Sequence, residues 1–274
     1  MTDSPLPDLP ELSDLPELSD LPELSDLPAL PTIGPVTRRP PPGGPRREWQ
    51  TATVIGIRRE TARLTTFRLR LPAGSPHTPG QHVVVRLTAP DGYAASRSYS
   101  IASAPTDGSE IELLVERLEE GEVSTYLHED LRVGDPLELR GPFGGWFVWS
   151  GQQPALLIGG GSGVAPLMAM LRYQRAKPSL PPVRLVLSVR TPHDLPFADE
   201  FGSETTVVYT RAAPIGSDRP PGRLDAQTLQ DALAPGATAY VCGSTGFADH
   251  ASDLLVALGQ PVGDIRVERY GATS

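Results

Sequence analysis

The sequence predicts an all-β antiparallel barrel followed by an α/β domain with a doubly wound parallel sheet, behind a disordered N-terminal repeat tail. Three observations predict it. Residues 8–25 repeat Asp-Leu-Pro-Glu-Leu-Ser three times and lead into a linker rich in Pro, Gly and Arg. From residue 50 onward, short β-rich runs follow one another at hairpin spacing. From residue 154 the pattern changes to apolar strands alternating with helical stretches. The boundaries are 1–47 for the tail and linker, 48–150 for the barrel and 151–274 for the α/β domain. A chain of 274 residues has room for a core in each of two domains.

In the tail, proline at every sixth position interrupts the helical hydrogen-bond ladder. Leucine recurs every third residue from Leu6 to Leu30, a spacing that drifts around an α-helix but forms one stripe in polyproline II, with its three residues per turn. Asp3, Asp8, Glu11, Asp14, Glu17, Asp20, Glu23 and Asp26 carry eight of the negative charges behind the net −9, and no Lys or Arg precedes Arg38. The tail reads as a solvated repeat or, alternatively, as an arm that docks a partner through leucine and is steered by carboxylates. The remaining chain is close to neutral, which removes the basic field that nucleic-acid binding needs.

Other classes are excluded residue by residue. Cys242 is the sole cysteine, so neither an internal disulfide nor a four-thiolate iron–sulfur cluster is available, and a reducing compartment is expected. No apolar run is long enough to span a membrane, and no leader signature opens the chain, so a cytoplasmic protein without membrane insertion is expected. His77, His82, His128, His193 and His250 lack metal-ligand spacing and read as surface or capping residues; no metal site and no serine nucleophile elbow is expected.

Residues 50–57, 63–71, 82–88, 97–102 and 110–118 read as the barrel strands, rich in Val, Ile, Thr, Leu and Arg between turn residues. Gly80-Gln81 opens the third as a tight turn. The fourth carries Arg97-Ser98-Tyr99-Ser100-Ile101-Ala102-Ser103, with Arg97 and Tyr99 on one face and Ser98 and Ser100 on the other. A cation, hydroxyls and an aromatic ring in one groove suit a flavin and its phosphates; taken alone they are also an ion pair and a half-buried ring. Gly121-Glu122-Val123-Ser124 then offers a turn and, at Ser124, an N-cap for a helix over 126–131, either an anion site or a plain capped helix.

In the second domain, 155–158, 183–189, 205–210, 239–241 and 265–268 read as strands, and 164–175, 225–233 and 245–258 as helices. Between the first strand and first helix lies Gly159-Gly160-Gly161-Ser162-Gly163-Val164-Ala165-Pro166. Its glycines let a pyrophosphate approach the backbone, and Pro166 is tolerated where a helix begins. The rule for such sheets puts the ligand at this end of the strands. At the next strand ends stand Arg190 and then Thr210-Arg211, with no acidic residue. That favours a 2′-phosphate over a free ribose diol, although Arg190 and Arg211 are equally readable as surface arginines.

Taken in this order, the arginine–tyrosine strand and the glycine run resemble the ferredoxin-NADP reductase superfamily of flavin enzymes over residues 48–271. The resemblance implies an FAD-binding barrel and an NAD(P)-binding second domain, hence FAD with NADPH or NADH as cofactors. It implies that Arg97 contacts a flavin phosphate, Tyr99 stacks on the ring system and Ser100 lies near the reactive nitrogen, with Ser98 beside them. Gly121, Val123 and Ser124 take the flavin pyrophosphate, which favours FAD over FMN. Gly160, Gly161, Gly163, Val164 and Pro166 take the NAD(P) pyrophosphate, and Thr210 and Arg211 a 2′-phosphate. Cys242 and Gly243 stand beside the nicotinamide; Cys242 is expected to set its position without acting as a nucleophile. Glu268 lines the site or forms a salt bridge, and Tyr270 matches a terminal aromatic that covers the flavin in some relatives. Here Gly271-Ala272-Thr273-Ser274 continues past it, which argues against a lid. Ser100, Cys242 and Glu268 form the implied catalytic set.

The expected activity is hydride transfer from NAD(P)H to FAD, then electron delivery to a separate acceptor such as a ferredoxin, an oxygenase component, or a haem or molybdenum protein. The contrasting expectation is a flavin-binding redox-sensing or docking subunit of an electron-transfer complex.

Overall fold

A computed structural model describes residues 48–72, 76–106, 108–217 and 219–270. The repeat tail and linker lie outside the described residues, and so do the expectations of disorder and of a leucine stripe.

Six strands form the first sheet: β1 (Gln50–Arg59), β2 (Leu64–Arg70), β3 (His82–Thr88), β4 (Ala94–Ser100), β5 (Glu110–Glu116) and β6 (Pro136–Phe143), with helix α1 (Glu122–Glu129) before the last. They are ordered β4-β3-β6-β1-β2-β5, and the named pairs are antiparallel. A bridge between Ile101 and Leu113, with Ala102 N–H donating to the Glu112 carbonyl, joins the two edges and closes the sheet into a barrel. Alternation drives this. Along β1 the side chains of Ala52 and Val54 go inward, and along β6 those of Leu137 and Leu139; they meet Phe67, Leu69, Val83, Val85 and Ile111 in one buried cluster.

The second sheet is parallel, β11-β10-β7-β8-β9. It consists of β7 (Ala155–Gly160), β8 (Val183–Val189), β9 (Thr205–Tyr209), β10 (Thr238–Ser244) and β11 (Ile265–Tyr270), with helices α2 (Val164–Ala176), α3 (Ala226–Ala232) and α4 (Thr245–Ala257). The central strands read as continuous apolar runs because both faces are covered. Leu156 and Ile158 pack with Leu229, Ala248, Ala251 and Leu255 from α3 and α4, whereas Leu157 packs with Leu167, Met168 and Leu171 of α2. Chain order runs outward from β7 to β9, then returns to β10 on its other side, so the turn after β7 sits at the topological switch point.

The two sheets share apolar contacts. Leu64, Ala102 and Leu114 of the barrel, with Phe147 and Trp149, belong to the same buried cluster as α2 and β7. At about 1.5–3 kcal/mol for each large apolar side chain removed from water, this seam holds the parts together firmly.

Four expectations need correction. A sixth strand, β6, follows α1, beyond the five strands expected for the barrel. The flavin-motif strand begins at Ala94 and ends at Ser100, leaving Ile101 as a single bridge. Helix α1 begins at Glu122 with Gly121 as its N-cap, so Ser124 does not cap it. Instead the Ser124 hydroxyl donates to the Gly121 carbonyl at 3.0 Å and accepts from Leu118 N–H at 3.2 Å. Nor are all the histidines surface or capping residues. His128 is half-buried, its Nε2 3.1 Å from the Val115 carbonyl, and burial lowers its pKa; His82 is likewise half-buried and lowered.

Candidate functional site

On the barrel side, β4 pairs with β3 so that Tyr99 stands opposite Val83 and Arg97 opposite Val85. Strand periodicity puts Arg97 and Tyr99 on one face, as expected. Arg97 is exposed; its guanidinium donates to the Ser96 carbonyl at 2.8 Å, and no carboxylate pairs with it among the described residues. Tyr99 is half-buried, packed against the barrel core, and burial raises its pKa to about 12, so the phenol stays protonated. Ser98 is exposed and Ser100 half-buried.

Helix α1 brings a second set of donors to this groove. The first-turn amides of Glu122, Val123 and Ser124 have no intrahelical partner, and a helix N-terminus favours anions. Tyr93, which the sequence reading missed, donates its hydroxyl to Glu122 at 3.1 Å, and the Arg97 charge acts on the same phenol. An exposed arginine and a helix N-terminus at one groove suit the phosphates of a dinucleotide.

On the nucleotide side, β7 ends at Gly160, and Gly161–Gly163 forms a tight helical turn into α2. Gly161 adopts φ +56°, in the left-handed region. Gly163 is fixed by crowding, because a Cβ there would collide with the Cys242 carbonyl carbon and oxygen at the end of β10. Val164 and Pro166 occupy the first turn of α2, where a proline sacrifices no helical bond.

The turn's polar groups are engaged from within the chain. Gly163 N–H donates to the Tyr270 hydroxyl at 3.0 Å, and that hydroxyl donates to the Gly160 carbonyl. Burial raises the Tyr270 phenol to about 12, although the residue as a whole is 37% exposed. Ser162 donates to Glu116 of β5 at 2.7 Å, and Arg63 stands 3.6 Å from the same carboxylate. Thus the glycine turn is fastened to the barrel strand that precedes α1. Glu116 and its bond to Ser162 were also missed, since the two residues are 46 apart and no local pattern joins them.

Beside the turn, Cys242 of β10 stands opposite Gly159 of β7 and Glu268 of β11. Burial, with the Glu268 charge, pushes the Cys242 thiol far up, so no thiolate forms. Burial raises the Glu268 carboxyl to about 7, and no arginine or lysine pairs with it among the described residues. The neighbouring Arg269 pairs with Asp249 instead, at 2.8 Å. Gly243 is buried next to Cys242.

Thr210 and Arg211 lie just beyond β9. Thr210 N–H donates to the Val189 carbonyl and Arg211 N–H to that of Arg190, which brings Arg190 and Arg211 together at the strand ends. Both are exposed, and neither guanidinium has an acidic partner among the described residues. Gln81 serves its turn, accepting from Thr78 N–H at 2.9 Å and donating to the Gly144 carbonyl at 2.8 Å. Among the described residues no cluster of His, Cys, Asp and Glu could hold a metal, and no helix is long and apolar enough to cross a membrane.

Comparison with known proteins agrees with this arrangement. Residues 52–148 match the family model of the oxidoreductase FAD-binding domain, and residues 157–253 that of the oxidoreductase NAD-binding domain. The chain is 28% identical over 214 residues to the reductase component of propane 2-monooxygenase from Rhodococcus jostii, covering 73% of this chain and 57% of that one. It is 32% identical over 210 residues to the glycine betaine monooxygenase reductase subunit of Chromohalobacter salexigens, covering 71% and 56%. Among solved structures, the flavohem-like FAD/NAD-binding domain of nitric oxide dioxygenase from Vibrio cholerae O1 biovar El Tor superposes with a TM-score of 0.71 at 27% identity, over 81% of this chain and 98% of that one. The chain spans little more than half the length of the two curated relatives.

Proposed function

The chain belongs to the ferredoxin-NADP reductase superfamily, and from that premise we propose that it is an FAD-dependent NAD(P)H oxidoreductase serving a separate redox acceptor. The observation that carries the reading is the bond from Ser162 in the glycine turn to Glu116 in the barrel, which sets a dinucleotide turn against the groove lined by Arg97, Tyr99 and the α1 N-terminus. When bound, FAD accepts a hydride from the nicotinamide and releases electrons one at a time. The protein's part is to bind and orient. Arg97 and the first-turn amides of Glu122, Val123 and Ser124 hold the flavin phosphates, Gly121 gives the tight turn before them with its own N–H on the Leu118 carbonyl, Tyr99 packs on the ring, and Ser98 and Ser100 offer hydroxyls. Gly160, Gly161, Gly163, Val164 and Pro166 cradle the nucleotide pyrophosphate. Cys242, Gly243 and Glu268 shape a water-poor pocket for the nicotinamide, with Tyr270 at its rim.

NADPH is the preferred donor in this reading, because the exposed Arg190 and Arg211 with Thr210 suit a 2′-phosphate. Arg211→Ala weakens NADPH about tenfold and NADH much less, as expected for loss of a charge-assisted hydrogen bond; equal losses remove the basis for the preference. The similarity to monooxygenase reductase components supports an oxygenase component or ferredoxin as acceptor. The single buried cysteine supports a cytoplasmic setting. The acidic leucine repeat is proposed as an arm for the acceptor; deleting residues 1–35 then weakens transfer to that acceptor while reduction by NADPH is unchanged.

Steady-state oxidation of NADPH with ferricyanide as a one-electron acceptor tests the activity. Turnover that depends on FAD supports the reductase, and none with FAD bound supports the sensing or docking subunit.

A further inference from the structure

The two halves of the proposed site must meet at reacting distance, and one side chain holds both. Arg172 lies on α2, the helix that the glycine turn begins. Its side chain is only 17% exposed. One guanidinium nitrogen donates to the Ala102 carbonyl at 2.9 Å and to Glu112 at 2.6 Å. Ala102 follows the strand of Arg97, Tyr99 and Ser100, and Glu112 lies on β5, the strand that also reaches Ser162 through Glu116. The other side of the guanidinium fork takes Glu200, and its Cζ lies 4.8 Å from the centre of the Phe197 ring.

Phe197 is itself tied across the same seam. It holds a left-handed backbone at φ +57°, unfavourable for a side chain of its size. Its N–H donates to Glu60 of the barrel at 3.2 Å. Burial opposes the charges at the centre, yet the carboxylates of Glu200 and Glu112 leave Arg172 with a raised pKa, and Arg172 leaves Glu200 with a lowered one. Arg172 and Glu200 therefore both stay ionised. A planar fork with five donors, committed to partners on both sides, permits one arrangement where an apolar seam alone tolerates sliding.

We propose that Arg172 is a positioning residue for hydride transfer: through Ala102, Glu112 and Glu200 it fixes the flavin strand against the nucleotide helix. The inference rests on the reductase reading above. Misplacement by a fraction of an ångström lowers a transfer rate while leaving binding nearly intact. Arg175, three residues along α2, pairs with Glu204 in its own domain and has no such role.

The test uses the full chain loaded with FAD. Arg172→Met, Glu112→Gln and the control Glu204→Gln are mixed anaerobically with NADPH over a range of concentrations, which separates the limiting rate of flavin reduction from the nucleotide Kd. The long-wavelength charge-transfer absorbance reports the stacking of the two rings. Hydrogen exchange of the cofactor-free proteins over residues 102–112 and 164–176 reports the seam without turnover. The expected result is a limiting rate about tenfold or more lower in Arg172→Met and lower in Glu112→Gln, a Kd within about threefold, weaker charge-transfer absorbance, faster exchange at the seam, and no change in Glu204→Gln. If Arg172→Met does not fold, Glu112→Gln carries the test. Limiting rates equal to the unaltered protein, or rate losses matched by equal loss of bound FAD, overturn the role of Arg172. Absence of reduction in the unaltered protein instead overturns the reductase reading.

Discussion

Arg97 and Gly163 are both placed to meet phosphate, but they wait for it differently. The Arg97 guanidinium is exposed and, among the described residues, bonded only to the carbonyl of Ser96. Gly163 N–H is already taken by the Tyr270 hydroxyl, and Ser162 beside it by Glu116. An anion reaching the barrel groove displaces mostly water. An anion reaching the glycine turn must also break bonds inside the protein, and only the surplus appears as affinity. The difference suits a cofactor that stays bound on one side and a nucleotide that comes and goes on the other.

Substitutions can break this contrast. The largest effect is expected from Gly163→Ala, whose methyl meets the Cys242 carbonyl. Shifting the turn should lower flavin reduction by about a hundredfold or more while FAD remains bound, measured as rate against flavin content. Next is Arg97→Met, which should weaken FAD by about ten- to a hundredfold and leave nucleotide affinity in the FAD-loaded protein unchanged, by fluorescence titration of the apoprotein and nucleotide titration of the holoprotein. Tyr270→Phe should act in the opposite direction. By freeing Gly163 N–H it tightens NADPH about threefold, the size of one neutral hydrogen bond; weaker binding would show that the hydroxyl assists the nucleotide rather than competing with it.

The smallest effect concerns stability. The folded Glu268 carboxyl has a pKa of about 7, above its ordinary 4.5, so the folded state holds this proton more tightly than the unfolded chain does. Its contribution is fully present below pH 4.5 and is lost as pH rises through 7. Thermal melts of Glu268→Gln should therefore decline less between those limits than melts of the unaltered protein.

Legibility followed the range over which a pattern is written. The run from Ala155 through the glycines to Pro166 could be read because strand, turn and helix signals are contiguous there. Strand β6 escapes a local reading although Leu137 and Leu139 alternate with Glu138 and Arg140, because the alternation is short and Gly141-Pro142 interrupts it. Ser124 reads as a cap because serine is a good one; the tight turn at Gly121 moves the cap three residues earlier and buries the serine. The links that assemble the site, Ser162 with Glu116 and Arg172 with Glu112, span 46 and 60 residues. No local spacing encodes them, and they emerge only when the barrel and the parallel sheet are packed together.

The most direct measurement is anaerobic stopped-flow absorbance of the full chain loaded with FAD, mixed separately with NADPH and NADH. The account predicts rapid loss of the oxidised-flavin band, faster or at lower concentration with NADPH. An unchanged band with both donors, with FAD verified as bound, would contradict it.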